Sequence, residues 1–81
     1  MSALKEQALS SVLDVLGKAI PYPLYLTKKT IGKMEQGQVL KVLCDTPESA
    51  DDSIPRFAEK MGYPIERVRL ENMWEIYIRK I

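Results

Sequence analysis

Residues 39–44 read Val-Leu-Lys-Val-Leu-Cys, the strongest strand pattern in the chain. Strands favour branched apolar residues, and successive side chains point to opposite faces of the sheet. One face would hold Leu40, Val42 and Cys44, and the other Val39, Lys41 and Leu43. The first face is wholly apolar, so it is predicted to pack against the core, and Asp45-Thr46-Pro47 ends the strand.

A helix is predicted on each side of this strand. The first begins near Pro21 and extends to about Met34, because proline fits the first turn of a helix. The second covers residues 48–61 and would bury a stripe at helical spacing. The stripe consists of Ala50, Ile54, Phe57, Ala58 and Met61. Pro55 requires that the regular part begin only near residues 51–53, where Asp51, Asp52 and Ser53 are suitable caps.

Three further strands complete the pattern. Residues 12–16 form one before Gly17, and residues 65–71 and 74–80 form a hairpin around Asn72-Met73. The order strand, helix, strand, helix, strand, strand predicts an α/β (α+β) fold. We expect a two-layer sandwich in which a four-stranded mixed sheet has both helices on one face. Val39, Leu43 and Tyr77 would then lie on the open face.

Size and composition predict one domain over residues 1–81, with residues 1–11 as a frayed lead-in. Leu4, Ala8 and Leu9 would also fit a short helical turn. The net charge is +1, so no strong field attracts nucleic acid or an anionic membrane, and we expect neither as a direct partner. No apolar run approaches the roughly 18 residues that span a bilayer.

The chain has no histidine and one cysteine, Cys44. This excludes histidine acid–base catalysis, Ser-His and Cys-His triads, the usual zinc sites and an internal disulfide. We therefore expect no cofactor and no metal. The cysteine usage suits the cytoplasm. Asp14 and Asp45 are either paired carboxylates or turn residues, and their surroundings favour turns.

Leu13-Asp14-Val15-Leu16-Gly17 and Pro21-Tyr22-Pro23 resemble the signature of the TusA/SirA/YedF family of small sulfur carriers, Leu-Asp-x-x-Gly-x-x-Cys-Pro-x-Pro. Further matches in order and spacing extend the resemblance over residues 12–80. They are Thr27-Lys28-Lys29, Leu40-x-Val42-x-Cys44-Asp45-x-Pro47, residues 54–62 and Ile78-Arg79-Lys80. Between Pro47 and Ile54 this chain has one residue more than the family pattern, so the loop before the second helix is expected to differ.

The resemblance implies the same two-layer fold and a cysteine, before the first proline, that accepts persulfide from a cysteine desulfurase or a rhodanese-like donor. A thiol at a helix N-terminus has a lowered pKa and is more readily a thiolate. Here that position is Ile20, which has no sulfur. Whether the chain is an enzyme therefore stays open. Locally, Ile20 either packs at the helix start or belongs to a docking surface.

Three functions remain. The first is a variant that docks sulfur-transfer proteins without carrying persulfide at the motif position. Its partner-binding residues would be Gly17, Ile20, Pro21, Tyr22 and Pro23. The second is a carrier that uses Cys44, although the strand pattern predicts a buried thiol there. The third is a small RNA-binding or structural module, supported only by Lys28, Lys29 and Lys33, which more simply solvate a helix flank.

Overall fold

A computed structural model describes Leu4 and residues 11–81. The strands are β1 (Ser11–Asp14), β2 (Val39–Cys44), β3 (Ile65–Arg69) and β4 (Trp74–Arg79), and the helices are α1 (Tyr22–Gly32) and α2 (Ile54–Met61). A π-helical segment, Ser49–Ser53, leads into α2. Within the described part of the chain, neither helix is long and apolar enough to cross a membrane.

The four strands form one mixed sheet in the order β1-β2-β4-β3. β1 and β2 are parallel because α1 connects them as a crossover, whereas β4 is antiparallel to both β2 and β3. Leu70 N–H donates to Met73 O at 2.8 Å and closes the turn between β3 and β4. The predicted four-stranded mixed sheet and its hairpin are therefore confirmed.

The core lies between the sheet and the two helices. Leu40, Val42 and Cys44 are fully buried on the inner face of β2, as the alternation predicts. Ile76 and Ile78 extend this face onto β4, where they pair with Val42 and Leu40. Both helices contribute to the same cluster, through Ile31 and Met34 near the end of α1 and through Ile54 and Ala58 of α2. Both helices thus cover one face of the sheet.

The second helix begins differently from its prediction. The regular α-helix starts at Ile54, and Pro55 lies in its first turn, where its missing N–H is tolerated. The residues expected as caps, Asp51 to Ser53, form no capping hydrogen bond and belong to the π-helical segment. A π-helical turn holds more residues than an α-helical turn. The π-helical segment occupies part of the stretch between Pro47 and Ile54, where the sequence predicted a different loop.

Several strands and helices were predicted to extend further than they do. β1 ends at Asp14, two residues before Leu16, because the Asp14 side chain turns the chain there. α1 ends at Gly32 instead of Met34, and β3 and β4 end at Arg69 and Arg79. These differences leave the order and pairing of the elements unchanged.

The prediction that Val39 and Tyr77 lie on an open sheet face is wrong in one respect. They do point away from the helices, but only 1% of Val39 and 5% of Tyr77 is exposed. Leu4 packs against both side chains, and its N–H donates to the Glu66 carboxylate. Part of this face is therefore covered, whereas Leu43 is half-buried. The rest of the predicted lead-in, residues 1–3 and 5–10, lies outside the described residues.

Lys80 fastens the end of the sheet to α1. Its Nζ donates to Ile31 O at 2.9 Å and to Met34 O at 2.7 Å. The last carbonyls of a helix have no partner within the helix, and a lysine there also complements the helix dipole. This contact fixes the C-terminal end of α1 against the chain that follows β4.

We expect Lys80→Met to lower the free energy of unfolding by about 2 kcal/mol, since hydrogen bonds from a charged donor are worth about 1.5–3 kcal/mol. Urea denaturation followed by circular dichroism measures the free energy of unfolding. Arg79→Met is the matched control, because the Arg79 side chain is exposed. Equal stability of the two variants would contradict this role of Lys80.

Candidate functional site

The loop between β1 and α1 presents the residues of the sequence motif. Val15 is fully buried and its N–H donates to Leu43 O at 2.9 Å, so the loop begins firmly attached to β2. From Leu16 to Tyr22 every residue is exposed. Gly17 has a φ of +74°, a left-handed conformation that glycine adopts without strain. The motif glycine is thus required by the turn of the backbone.

Two carboxylates hold the backbone of this loop. Asp14 Oδ1 accepts a hydrogen bond from Leu16 N–H at 2.9 Å. Both carboxylate oxygens of Asp45 lie 3.1 Å from Gly17 N, which donates to them. Asp14 and Asp45 therefore act as turn residues, as their surroundings predict, and each is engaged with a backbone amide. Thr46 Oγ1 adds a third link, because it donates to Lys18 O at 3.1 Å.

Two prolines define the start of α1. Pro21 is exposed and precedes the helix, whereas Pro23 lies in its first turn and is buried. The Ile20–Pro21 peptide bond is cis. Thr27 Oγ1 donates to Pro23 O at 2.7 Å and satisfies a buried hydroxyl. The predicted helix start is confirmed, and it places residue 20 immediately before the helix.

The first turn of α1 offers few free amides. Pro21 and Pro23 have no N–H, Tyr22 N–H donates to Ala19 O at 2.9 Å, and Tyr25 N–H donates to Pro21 O at 3.1 Å. Among the described residues, Leu24 N–H finds no acceptor. The start of α1 therefore leaves few amides that could face a group at position 20.

Ile20 is 54% exposed, so it does not belong to the core. Two large side chains near it in the chain are also exposed, Tyr22 by 57% and Tyr25 by 54%. We call Ile20, Tyr22 and Tyr25 the apolar patch. Sequence reasoning included the first two and missed Tyr25. The signal for it was available, because Tyr25 lies three residues after Tyr22 and hence on the same side of the helix.

Cys44 lies apart from this exposed loop. It has no solvent exposure and faces the helices from the end of β2. Its Sγ is 3.7 Å from Thr46 O. Burial raises the pKa of the Cys44 thiol, because the thiolate would lose its hydration. Its chain neighbour Asp45 reaches the loop, but the sulfur itself is enclosed and protonated at neutral pH.

An open groove of about 450 Å³ runs between α1 and the segment leading into α2. Leu24 and Phe57 line its apolar part, and Lys28 Nζ lies 5.5 Å from the centroid of the Phe57 ring. Glu48 and Asp52 line the wall opposite α1. No group of three acidic or cysteine side chains in the described part of the chain is placed to hold a metal ion.

Comparison with known proteins decides the family. The model of the family described as sulfurtransferase TusA matches residues 11–80. The chain belongs to the TusA family. The resemblance seen in the sequence motifs is thereby confirmed.

Individual TusA-family relatives agree. A protein of Archaeoglobus fulgidus named "Putative sulfur carrier protein" is 35% identical over 71 residues, which are 86% of this chain and 96% of the relative. A Thermotoga maritima protein with the same name is 32% identical and covers 88% of this chain and 91% of its own length. The crystal structure of a SirA-like protein from Desulfitobacterium hafniense superposes with a TM-score of 0.76. It has 31% identity and covers 85% of this chain and 95% of that one.

Proposed function

We propose that this TusA-family protein docks sulfur-transfer proteins, such as a cysteine desulfurase or a rhodanese-like donor, without carrying persulfide at position 20. The observation that supports this most is the exposed Ile20 at the start of α1, in a loop that Asp14 and Asp45 hold in shape. This exposed position has no thiol. We place this docking in the cytoplasm, because the single cysteine suits a reducing compartment.

The docking surface comprises Gly17, Ile20, Pro21, Tyr22 and Pro23. Ile20 and Tyr22 supply exposed apolar area, and aromatic and aliphatic anchors dominate the energy of protein interfaces. Gly17 and the buried Pro23 would act by shaping the loop and the helix start rather than by direct contact. The surface is therefore small and apolar at its centre.

The alternative carrier, Cys44, is disfavoured by its burial. Persulfide transfer needs a thiolate that reaches the donor sulfur, and Cys44 has neither solvent exposure nor a lowered pKa. Carrying sulfur there would require β2 to separate from the helices. Mass spectrometry would detect a sulfur adduct on Cys44 directly.

We expect Ile20→Asp to weaken binding to the cysteine desulfurase of the source cells about tenfold or more, because a charge would be buried in an apolar contact. Isothermal titration calorimetry measures the affinity. Val12→Asp is a matched control, since Val12 is also exposed but lies on β1. Both variants should keep the wild-type circular dichroism spectrum.

Mass spectrometry after incubation with desulfurase and cysteine distinguishes the remaining functions. Binding without a sulfur adduct supports docking, whereas an adduct on Cys44 would transfer the function to that thiol. Binding that Val12→Asp impairs as strongly as Ile20→Asp would contradict the proposed surface. Salt-sensitive retention of RNA, with no desulfurase binding, would favour the RNA-binding module.

A further inference from the structure

We propose that the exposed side of α1 binds an acidic, amphipathic protein surface, which contacts the apolar patch at one end and two lysines at the other. This rests on the proposed docking function and names the chemistry of the partner. Tyr22, Tyr25, Lys29 and Lys33 form what we call the α1 stripe. All four side chains are exposed.

Helical spacing aligns the members of the stripe. They follow one another at intervals of three, four and four residues, which places them on one side of a helix. Pro23, Thr27 and Ile31 lie on the opposite, buried side. With a rise of about 1.5 Å per residue, the stripe is roughly 16 Å long. Its tyrosines adjoin Ile20, and its lysines lie at the C-terminal end of α1.

The chain segment that contains the stripe has charged side chains of one sign only. Residues 15–34 contain four lysines, Lys18, Lys28, Lys29 and Lys33, and no aspartate or glutamate. The ion pairs of the described residues involve Lys41, Arg56 and Arg67, and none of those four lysines. The rest of the chain has eight basic and eleven acidic residues, a net charge of −3, so the whole chain is only +1. The positive surface is thus concentrated on the loop and on α1, where the docking surface lies.

The complementary partner has carboxylates as well as an apolar contact. Lys29 and Lys33 are one helical turn apart, which matches acidic residues spaced one turn apart on a partner helix. Ile20 and the two tyrosines would meet apolar side chains, giving an apolar centre with a charged rim. Such a rim mainly fixes orientation and speeds association.

A protein suits this surface better than RNA. Binding of nucleic acid relies on many phosphate contacts, whereas the stripe has only two lysines beside its two tyrosines and Ile20. The groove beside α1 has both signs of charge, because Lys28, Arg56 and Lys60 line it together with Glu48 and Asp52. The small number of lysines on the stripe is therefore what favours a protein partner.

The surface is tested without the desulfurase, by NMR titration of the ¹⁵N-labelled protein with defined probes. The first is a helical peptide with one leucine face flanked by glutamates one turn apart; the second has lysines in place of the glutamates; the third is oligouridine. We expect the acidic peptide to shift the amides of Tyr22, Tyr25, Lys29 and Lys33, with weaker binding as salt is raised. Shifts centred elsewhere, equal binding of the lysine peptide, or tighter binding of oligouridine would overturn the proposal.

Charge reversal supplies the matched variants. Lys29→Glu/Lys33→Glu should weaken acidic-peptide binding about tenfold, since attraction at two rim pairs becomes repulsion. Lys60→Glu/Arg79→Glu changes the net charge equally at exposed positions outside the stripe and should bind like the wild type. Equal loss in both variants would show a general charge effect and contradict the proposal.

The same variants separate this inference from the proposed function. In one outcome the desulfurase binds the wild type and Lys29→Glu/Lys33→Glu, whereas Ile20→Asp abolishes binding. Docking then stands and the acidic-partner proposal fails. If the acidic peptide maps to the α1 stripe while no sulfur-transfer protein binds, the surface stands and the proposed function fails.

Discussion

Ile20→Cys, in a Cys44→Ala background, is expected to yield a thiol whose pKa lies below that of an unperturbed cysteine. The new sulfur would lie at the N-terminal end of α1, where the helix dipole favours a thiolate. Ile20 is half exposed, so reagents reach the position without unfolding. The stability cost should be small, about 1 kcal/mol or less, because little buried volume is lost.

The measurement is the rate of iodoacetamide alkylation as a function of pH. Met61→Cys in the same background is the matched control, because Met61 is equally exposed but ends α2, where the dipole disfavours a thiolate. The first turn of a helix ordinarily offers several free amides. The structure leaves fewer, since two prolines lack an N–H and two other amides are bonded. A thiol at 20 that titrates no lower than the one at 61 would show that the loop lacks the activating geometry.

Cys44 in the wild-type protein is expected to be alkylated at least about 100-fold more slowly than in the urea-unfolded chain, since reaction must await opening of the core. The side chain has no solvent exposure and burial raises its thiol pKa, so both access and thiolate fraction are low. Mass spectrometry of quenched time points gives both rates. Labelling of the folded protein at the unfolded rate would contradict the assignment and favour Cys44 as a carrier.

The raised pKa of Cys44 also predicts a pH dependence of stability. Above the ordinary thiol pKa of about 8.5, the unfolded chain releases the proton while the folded chain keeps it. The free energy of unfolding should therefore fall as pH rises through this range. Cys44→Ala has no thiol to titrate and should lose less stability over the same interval. An equal loss of stability in both proteins would show that a group other than Cys44 titrates.

The fold was largely predictable because its central strand has a strong local pattern. Both ends of β2 were predicted correctly, since alternation fixes its faces and Asp45-Thr46-Pro47 stops it. β1 was predicted too long, because Val15 and Leu16 look like strand residues and only the Asp14 side chain reveals the turn. The burial of Val39 by Leu4 joins residues 35 apart in the sequence, which no local pattern encodes.

The site was predictable in its residues and not in its geometry. The motif identified Gly17, Ile20 and the two prolines, and the structure places them in one exposed loop and helix start. The bond from Gly17 to Asp45 spans 28 residues and depends on β1 and β2 being neighbours. Tyr25 was not predicted because the motif ends at Pro23.

The bond between Asp45 and Gly17 has a consequence for how the loop tolerates change. The hydrogen bonds that shape the loop involve Asp14, Asp45, Thr46 and backbone groups, and none of them uses the side chain of residue 20. The shape of the loop is therefore independent of the chemical group at position 20. The scaffold can exchange a reactive residue for an inert one, or the reverse, by a single substitution, and keep the contour of the loop.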